Sequence, residues 1–196
     1  MSDAFYSLGL RVLHKLPAHE LGRTVTVTSA RQGEGKSHVA RALAQALSRQ
    51  CSGAVALVSL QGSACDAPAG WSDLVDQGMW PDGMPQPAGD GEPTLIGPGT
   101  RMRVDTLFRP DAVAHALQLL RERFAMVVID APSLAACGAL PRASDGTLLV
   151  VNARDTRREV VQGALAAYPV PTDRMLGAVL NQRPDYVPGW LYRWML

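Results

Sequence analysis

Residues 24–50 read TVTVTSARQGEGKSHVARALAQALSRQ, and this stretch predicts the fold of the chain around it. Its first part alternates threonine and valine, which is typical of a buried β-strand. A short loop with Gly33 and Gly35 follows. Apolar residues then recur at the spacing of one helix face, at Val39, Ala42, Leu43, Ala46 and Leu47. The order strand, glycine loop, helix is the context in which phosphate-binding loops occur.

The loop matches a phosphate-binding P-loop in a variant form. Its glycines allow backbone N–H groups to converge on phosphate oxygens, and the helix N-terminus adds a positive dipole. Lys36 is expected to reach the β- and γ-phosphates of a nucleotide, and the Ser37 hydroxyl to coordinate Mg²⁺. Ala30 stands where the general motif has its first glycine. The predicted cofactor-binding segment comprises Arg31, Gln32, Gly33, Glu34, Gly35, Lys36, Ser37 and His38.

Composition and charge restrict the classes of function. The chain has 196 residues, which suits one nucleotide-binding domain over 1–196. A formal net charge of +1, with scattered basic residues, gives no reason to expect nucleic acid as a partner. The three cysteines are far apart and form no CxxC pair, which argues against a zinc site or a disulfide scaffold. No secretory signal and no apolar run of about 18 residues is visible, so we expect a cytoplasmic protein.

The rest of the chain alternates predicted helices and strands. Residues 1–20 contain an amphipathic helix, and 61–99 form a loop-rich excursion with one short helix at 71–75. Further helices are predicted from Pro110 and from a capping box, Thr156-x-x-Glu159. Further strands are predicted at 54–60, 94–96, 126–130, 146–151 and 176–180. This alternation predicts an α/β fold, a mostly parallel sheet with helices on both faces.

Polar residues near strand ends complete the candidate site. Asp130 ends an apolar strand, where open α/β sheets place their ligands, and it is the predicted magnesium ligand and catalytic partner of Lys36. The alternative is an aspartate that caps the next turn. The Asp145-Gly pair before another strand indicates a turn. Asn181, with Arg183 nearby, either hydrogen-bonds an adenine edge or forms an ordinary strand-end turn.

Four segments together resemble a known family. They are ARQGEGKSHVARALA, VVIDAPSL, SDGTLLVVNARDTRREVV and LGAVLNQRP. They are similar to the bacterial tyrosine kinases of capsule and exopolysaccharide systems, within the MinD/ParA-like P-loop ATPases. The resemblance covers nearly the whole chain. It implies a cytoplasmic domain that binds ATP and Mg²⁺ and works with a membrane polysaccharide co-polymerase or another exopolysaccharide-assembly protein.

One departure from the family pattern concerns catalysis. The family kinases carry an Asp-x-Asp motif at the end of the strand after the P-loop helix, where this chain has Ser59 and Gln61. A neutral side chain cannot take up a proton at pH 7, so phosphoryl transfer is expected to be weakened. Asp66 is the nearest replacement in sequence, but it lies beyond the predicted strand end.

Two further departures concern assembly. The charged residues that support ring contacts in the family's N-terminal helix are replaced here by Asp3, Tyr6 and Gly9. The C-terminal tyrosine cluster is reduced to two residues within an aromatic tail, 185–196, which contains Tyr186, Trp190, Tyr192 and Trp194. This tail either contacts a partner or the membrane surface, with a peripheral position at the inner membrane, or folds onto the protein's own core.

Three functions stay open at this point. The first is a tyrosine-kinase-like protein of exopolysaccharide assembly with weakened phosphoryl transfer. The second is a MinD/ParA-type ATPase switch, in which Arg31 takes the place of a signature lysine. The third is a catalytically inactive, nucleotide-binding adaptor. The neutral residues at Ser59 and Gln61 favour the third over the second.

Overall fold

The computed structural model describes residues 3–17, 20–61, 68–88 and 91–182. The strands in these residues are β1 (Arg23–Ser29), β2 (Val55–Ser59), β3 (Thr94–Ile96), β4 (Met126–Asp130), β5 (Gly146–Asn152) and β6 (Met175–Asn181). The helices are α1 (Asp3–Lys15), α2 (Lys36–Leu47), α3 (Trp71–Gln77), α4 (Pro110–Arg121), α5 (Leu140–Ala143) and α6 (Arg158–Ala167). Short 3-10 helices lie at Val104–Phe108, Leu134–Ala136 and Thr172–Arg174.

The described strands form one six-stranded sheet in the order β3-β2-β4-β1-β5-β6. Every neighbouring pair is parallel, so the C-terminal ends of all strands meet at one edge of the sheet. The strand before the glycine loop, β1, lies between β4 and β5. The register pairs Asp130 with Val27 of β1 on one side and with Ser59 of β2 on the other. The glycine loop after β1 and Asp130 therefore lie at the centre of this edge.

Helices cover both faces of the sheet, as the sequence pattern predicts. On one face α1 and α2 pack against the sheet through buried aliphatic residues such as Val12, Leu43 and Leu47. On the other face α3, α4, α5 and α6 surround a larger core that includes Trp71, Leu117 and Phe124. All residues of β4 and β5 are buried, which is the pattern of central parallel strands with both faces covered.

The first helix packs directly on α2 and on the turn after it. The Gln50 side-chain amide donates to the Tyr6 carbonyl at 2.9 Å. Gly9 is buried in α1, and a side chain there would overlap the Gln50 amide oxygen. A residue that the family resemblance assigns to ring contacts is thus engaged inside the same chain.

The capping box predicted for α6 is wrong. The helix begins at Arg158, and its N-cap residue, Arg157, makes no side-chain capping bond. The hydroxyl of Thr156 instead donates to the Glu34 carboxylate of the glycine loop at 2.5 Å. In a capping box the threonine oxygen would accept a backbone N–H of the first helical turn. Here the helix starts two residues later, and the hydroxyl donates its proton to a buried carboxylate in a charge-assisted hydrogen bond.

The prediction of a turn at Asp145-Gly146 does not include the main contacts of Asp145. Its buried carboxylate accepts hydrogen bonds from the Thr24 backbone N–H at 2.7 Å and from the Thr24 hydroxyl at 2.8 Å. It also forms an ion pair with Arg121 at 3.0 Å. Because β5 starts beside β1, this aspartate joins the N-terminal ends of neighbouring strands, at the edge of the sheet opposite the glycine loop.

Candidate functional site

The loop between β1 and α2 has a conformation that only glycines adopt easily. Gly33 and Gly35 have φ values of 85° and 84°, in the left-handed region. Gly35 is the N-cap residue of α2, and a Cβ there would overlap the amide nitrogen of Asn181. The Ser29 hydroxyl donates to the Arg31 carbonyl at 2.6 Å and fixes the entry to the loop. α2 thus begins at the C-terminal edge of the sheet, shortly after β1, and the N–H groups of its first turn have no partner within the helix.

Lys36 and Asp130 are buried together beside this loop. Only 4% of Lys36 and 3% of Asp130 is exposed. Burial lowers the pKa of Lys36, against the nearby charges of Asp130 and Glu34, which raise it. Burial raises the pKa of Asp130, against a hydrogen bond from Ser37 and the charges of Lys36 and Arg41, which lower it. One carboxylate oxygen of Asp130, Oδ1, has no hydrogen-bond partner among the described residues.

Glu34 connects the loop to two other parts of the sheet edge, through its side chain and through its backbone carbonyl. It is 2% exposed, and its carboxylate accepts the Arg31 N–H at 3.0 Å and the Thr156 hydroxyl at 2.5 Å. The Glu34 carbonyl accepts the side-chain amide of Asn181 at 3.0 Å. The loop after β1, the loop after β5 and the end of β6 thus meet at one residue.

Asn181 ends β6, and its side-chain amide hydrogen-bonds the loop backbone at the Glu34 carbonyl. A turn follows directly at Gln182, whose φ is 55°, so the strand-end turn given as the alternative is also present. The role of Asn181 toward an adenine edge stays a prediction, and Arg183 lies outside the described residues.

The remaining predicted residues lie around the mouth of the site. Arg31, Gln32, Gly33 and Ser37 are exposed at or next to the loop. The ring of His38 instead makes an edge contact with Phe5 of α1, at 5.8 Å between ring centroids. His38 therefore packs toward α1, and its contribution to cofactor binding stays a prediction.

Ser59, which the family resemblance aligns with the second acidic motif, lies at the same sheet edge as Asp130. Ser59 ends β2 and is the register partner of Asp130 on the neighbouring strand. Its hydroxyl donates to the Gln61 carbonyl at 2.9 Å, so it is used to turn the chain. Asp66, the nearest acid in sequence, lies outside the described residues. Neither neutral side chain can act as a base at pH 7.

The protein alone does not provide a complete metal site in its described part. No group of three or more His, Cys, Asp or Glu side chains in these ranges could hold a metal ion. Mg²⁺ is commonly held by one or two protein ligands together with substrate phosphates and waters. The Ser37 hydroxyl and the unpartnered oxygen of Asp130 fit this kind of site.

Over the same ranges, no helix is long and apolar enough to cross a membrane.

Sequence reasoning missed the role of Thr156 at the site. Its Thr-x-x-Glu pattern is a common local signal for a helix start, so the sequence was interpreted locally. The actual contact of Thr156 is with Glu34, 122 positions away in the chain. The available sequence signal was an acidic residue next to Lys36 in a predicted phosphate-binding loop. Its charge would repel phosphates unless hydrogen-bond donors of the protein hold it.

Comparisons with known proteins place the fold. No protein-family model and no curated protein matches the chain. Among solved structures, the kinase domain of VpsO is similar with a TM-score of 0.73 and 20% identity, over 92% of each chain. The kinase domain of the Escherichia coli tyrosine kinase ETK has a TM-score of 0.71 and 17% identity, over 92% of this chain and 76% of that one.

A third likeness extends beyond the kinases. Cobyrinic acid a,c-diamide synthase from Mycobacterium smegmatis, solved with ADP and magnesium, has a TM-score of 0.60 and 19% identity. The match covers 82% of this chain and 74% of that one. The chain thus has the P-loop fold shared by bacterial tyrosine kinase domains and MinD/ParA-like ATPases. The resemblance inferred from the sequence is confirmed at the level of the fold.

Proposed function

We propose that the protein binds ATP with Mg²⁺ at the glycine loop and acts as a tyrosine-kinase-like protein of capsule or exopolysaccharide assembly. One observation carries the binding proposal: the buried Asp130 carboxylate has an oxygen without a partner, next to Lys36 and Ser37. A buried charged group without full pairing is costly to the folded protein. A ligand that supplies the missing partner explains why it is there.

Each residue has a distinct task in this proposal. Lys36 binds the β- and γ-phosphates, and the backbone N–H groups at the start of α2 bind phosphate oxygens. Ser37 and Asp130 hold Mg²⁺, which neutralises phosphate charge when it is bound. The ADP and magnesium in the cobyrinic acid a,c-diamide synthase structure support this ligand class.

Phosphoryl transfer is proposed to be weak. A kinase needs a group that accepts the proton of the attacking hydroxyl. The expected position beside Asp130 carries Ser59, whose hydroxyl is engaged with the Gln61 carbonyl. This contact favours a nucleotide-binding adaptor as the alternative function. A MinD/ParA-type switch is the other alternative, with the exposed Arg31 in place of the signature lysine.

The proposed cellular setting follows from the family resemblance. The protein would work in the cytoplasm with a membrane polysaccharide co-polymerase or another exopolysaccharide-assembly protein. The aromatic tail, 185–196, is the proposed contact with that partner or with the inner-membrane surface. It lies outside the described residues.

Calorimetry with ATP tests the binding proposal, both with Mg²⁺ and with a chelator. We expect the wild type to bind MgATP with a micromolar dissociation constant. Lys36→Ala should abolish binding under both conditions, because the lysine contacts phosphate itself. Asp130→Asn should weaken binding only when Mg²⁺ is present. Arg101→Ala, which removes an exposed cation far from the loop in sequence, should bind like the wild type.

Absence of binding by the wild type would overturn the proposal. If Asp130→Asn and the wild type bind ATP equally tightly in the presence of Mg²⁺, Asp130 does not hold the metal ion.

A variant that restores the two acidic residues tests the proposal of weak turnover. We expect little ATP turnover in the wild type and a rise of about 100-fold in Ser59→Asp/Gln61→Asp, because a positioned base contributes roughly 10²–10⁴-fold. Ser59→Asn/Gln61→Asn has similar shape without charge and should stay inactive. Rapid wild-type turnover with phosphate appearing on Tyr186 or Tyr192 would show instead an active kinase.

A further inference from the structure

A carboxylate inside a phosphate-binding loop needs an explanation. Glu34 lies between the two left-handed glycines and next to Lys36, where its negative charge would repel bound phosphates. Its side chain is nevertheless 2% exposed, so it is not turned out into solvent. Its two oxygens accept the Arg31 N–H and the Thr156 hydroxyl. The carboxylate thus takes its hydrogen bonds from the protein.

These contacts restrain a loop that has few others. Arg31, Gln32 and Gly33 are exposed, and a glycine-rich segment loses more conformational freedom on ordering than any other. The bond from the Arg31 N–H to Glu34 closes a turn of four residues. A loop already held in its bound shape loses less entropy when the ligand arrives, which raises affinity.

Thr156 is itself held firmly in place. Its backbone N–H donates to the Asn152 carbonyl at the end of β5, at 3.0 Å. The Asn152 side chain binds the Asp155 carboxylate at 3.0 Å and accepts the Arg154 N–H at 2.9 Å. Thr156 therefore lies on a loop that several hydrogen bonds hold to the end of β5, and its hydroxyl reaches Glu34 from there.

We propose that Thr156 is a positioning residue for nucleotide binding, acting through Glu34 to hold the phosphate loop in its binding shape. This inference rests on the proposed binding of MgATP at that loop. The affinity for MgATP therefore depends on the loop that follows β5.

The test compares two substitutions that differ in one hydroxyl. Thr156→Val keeps the shape of threonine and removes the donor, whereas Thr156→Ser keeps the donor. A hydrogen bond to a charged group is stronger than one between neutral groups, and part of its stabilisation acts on the loop before binding. We expect a dissociation constant for MgATP about tenfold higher in Thr156→Val. Thr156→Ser should bind like the wild type.

Two further readouts separate positioning from a general loss of stability. Without nucleotide, amide hydrogen exchange at residues 31–36 should be faster in Thr156→Val than in the wild type, and Thr156→Ser should restore protection. In a Glu34→Ala background, Thr156→Val should cause no additional loss of affinity, because the partner of its hydroxyl is already gone.

The outcomes distinguish this inference from the proposed function. If the wild type binds MgATP and Thr156→Val binds equally well, the positioning role is wrong and the binding proposal stands. A loss of affinity that Thr156→Ser does not restore, or that is additive with Glu34→Ala, also overturns it. If the wild type does not bind MgATP, the proposed function fails, and this inference fails with it.

Discussion

At the scale of single residues, the site contains two buried charges that the folded protein holds at a cost. The pKa of Asp130 is raised from 3.8 because burial outweighs the stabilising effects of Ser37, Lys36 and Arg41. The pKa of Lys36 is lowered from 10.5 because burial outweighs the attraction of Asp130 and Glu34. Both ionised groups therefore reduce the stability of the nucleotide-free protein near neutral pH.

Asp130→Asn should accordingly stabilise the nucleotide-free protein at pH 7. Because the folded-state pKa is raised, the folded protein binds more protons than the unfolded chain above pH 3.8, and stability falls as the pH rises through that window. The stabilisation by Asp130→Asn should thus shrink as the pH is lowered toward 3.8. Urea denaturation at pH 7 and pH 4.5 measures it. A variant less stable than the wild type at pH 7 would contradict this account.

The local sequence predicts some site residues and cannot predict others. Lys36 and Asp130 follow from a strand and the residues next to it, so a single stretch of sequence shows them. The contact of Glu34 with Thr156 joins positions 122 residues apart, and that of Glu34 with Asn181 joins positions 147 apart. Only the packed sheet brings these residues together.

At the scale of elements, the two loop glycines share a left-handed φ but have different surroundings. Gly33 and Gly35 have nearly the same φ, yet a Cβ at Gly33 meets no atom within 4 Å. A Cβ at Gly35 overlaps Asn181. Conformation and close approach are therefore separable reasons for glycine in this turn.

Gly33→Ala and Gly35→Ala should differ in severity for this reason. Gly33→Ala carries only the left-handed penalty of roughly 1–2 kcal/mol. Gly35→Ala also displaces the Asn181 amide and should cost more stability and more MgATP affinity. Thermal denaturation and calorimetry on both variants test this, and Asn181→Ala should partly rescue Gly35→Ala. Equal losses in the two variants would show that the Asn181 contact has no energetic role.

Most elements follow from periodicity, and the differences lie at their ends. The strands at Thr94–Ile96 and Met126–Asp130 have the predicted limits, and β6 extends one residue beyond its prediction at each end. The helix predicted at 71–75 continues to Gln77. The four-residue α5 and the 3-10 helices were not predicted, because segments this short show no hydrophobic period.

At the scale of the whole molecule, the proposed nucleotide site and a buried ion pair lie at opposite edges of the sheet. The glycine loop and Asp130 lie at the C-terminal edge, whereas Asp145 joins Thr24 and Arg121 at the opposite edge. The ion pair there is largely buried, with 19% of the Arg121 and 7% of the Asp145 side chain exposed. Removing one partner of a buried pair leaves the other charge unpaired.

Asp145→Ala should therefore destabilise the protein by roughly 3–5 kcal/mol without changing the site. We expect urea denaturation to show this loss, and the dissociation constant for MgATP to be unchanged well below the unfolding transition. Asp173→Ala is the control: its pair with Arg174 has a 79% exposed carboxylate, and the cost should be less than about 1 kcal/mol. A weaker MgATP affinity in folded Asp145→Ala would show that the two edges are coupled.

The distance in sequence between Glu34 and its partners also fixes when the site is completed during synthesis. A ribosome that adds about 5–20 residues per second reaches Thr156 roughly 6–24 s after Glu34, and Asn181 after that. Until then the glycine loop of the nascent chain lacks the hydrogen bonds from Thr156 and Asn181. For most of this interval Asp130 has not been synthesised either. The glycine loop therefore gains its contact with Thr156 only after β5 has been synthesised, and its contact with Asn181 only when β6 is complete.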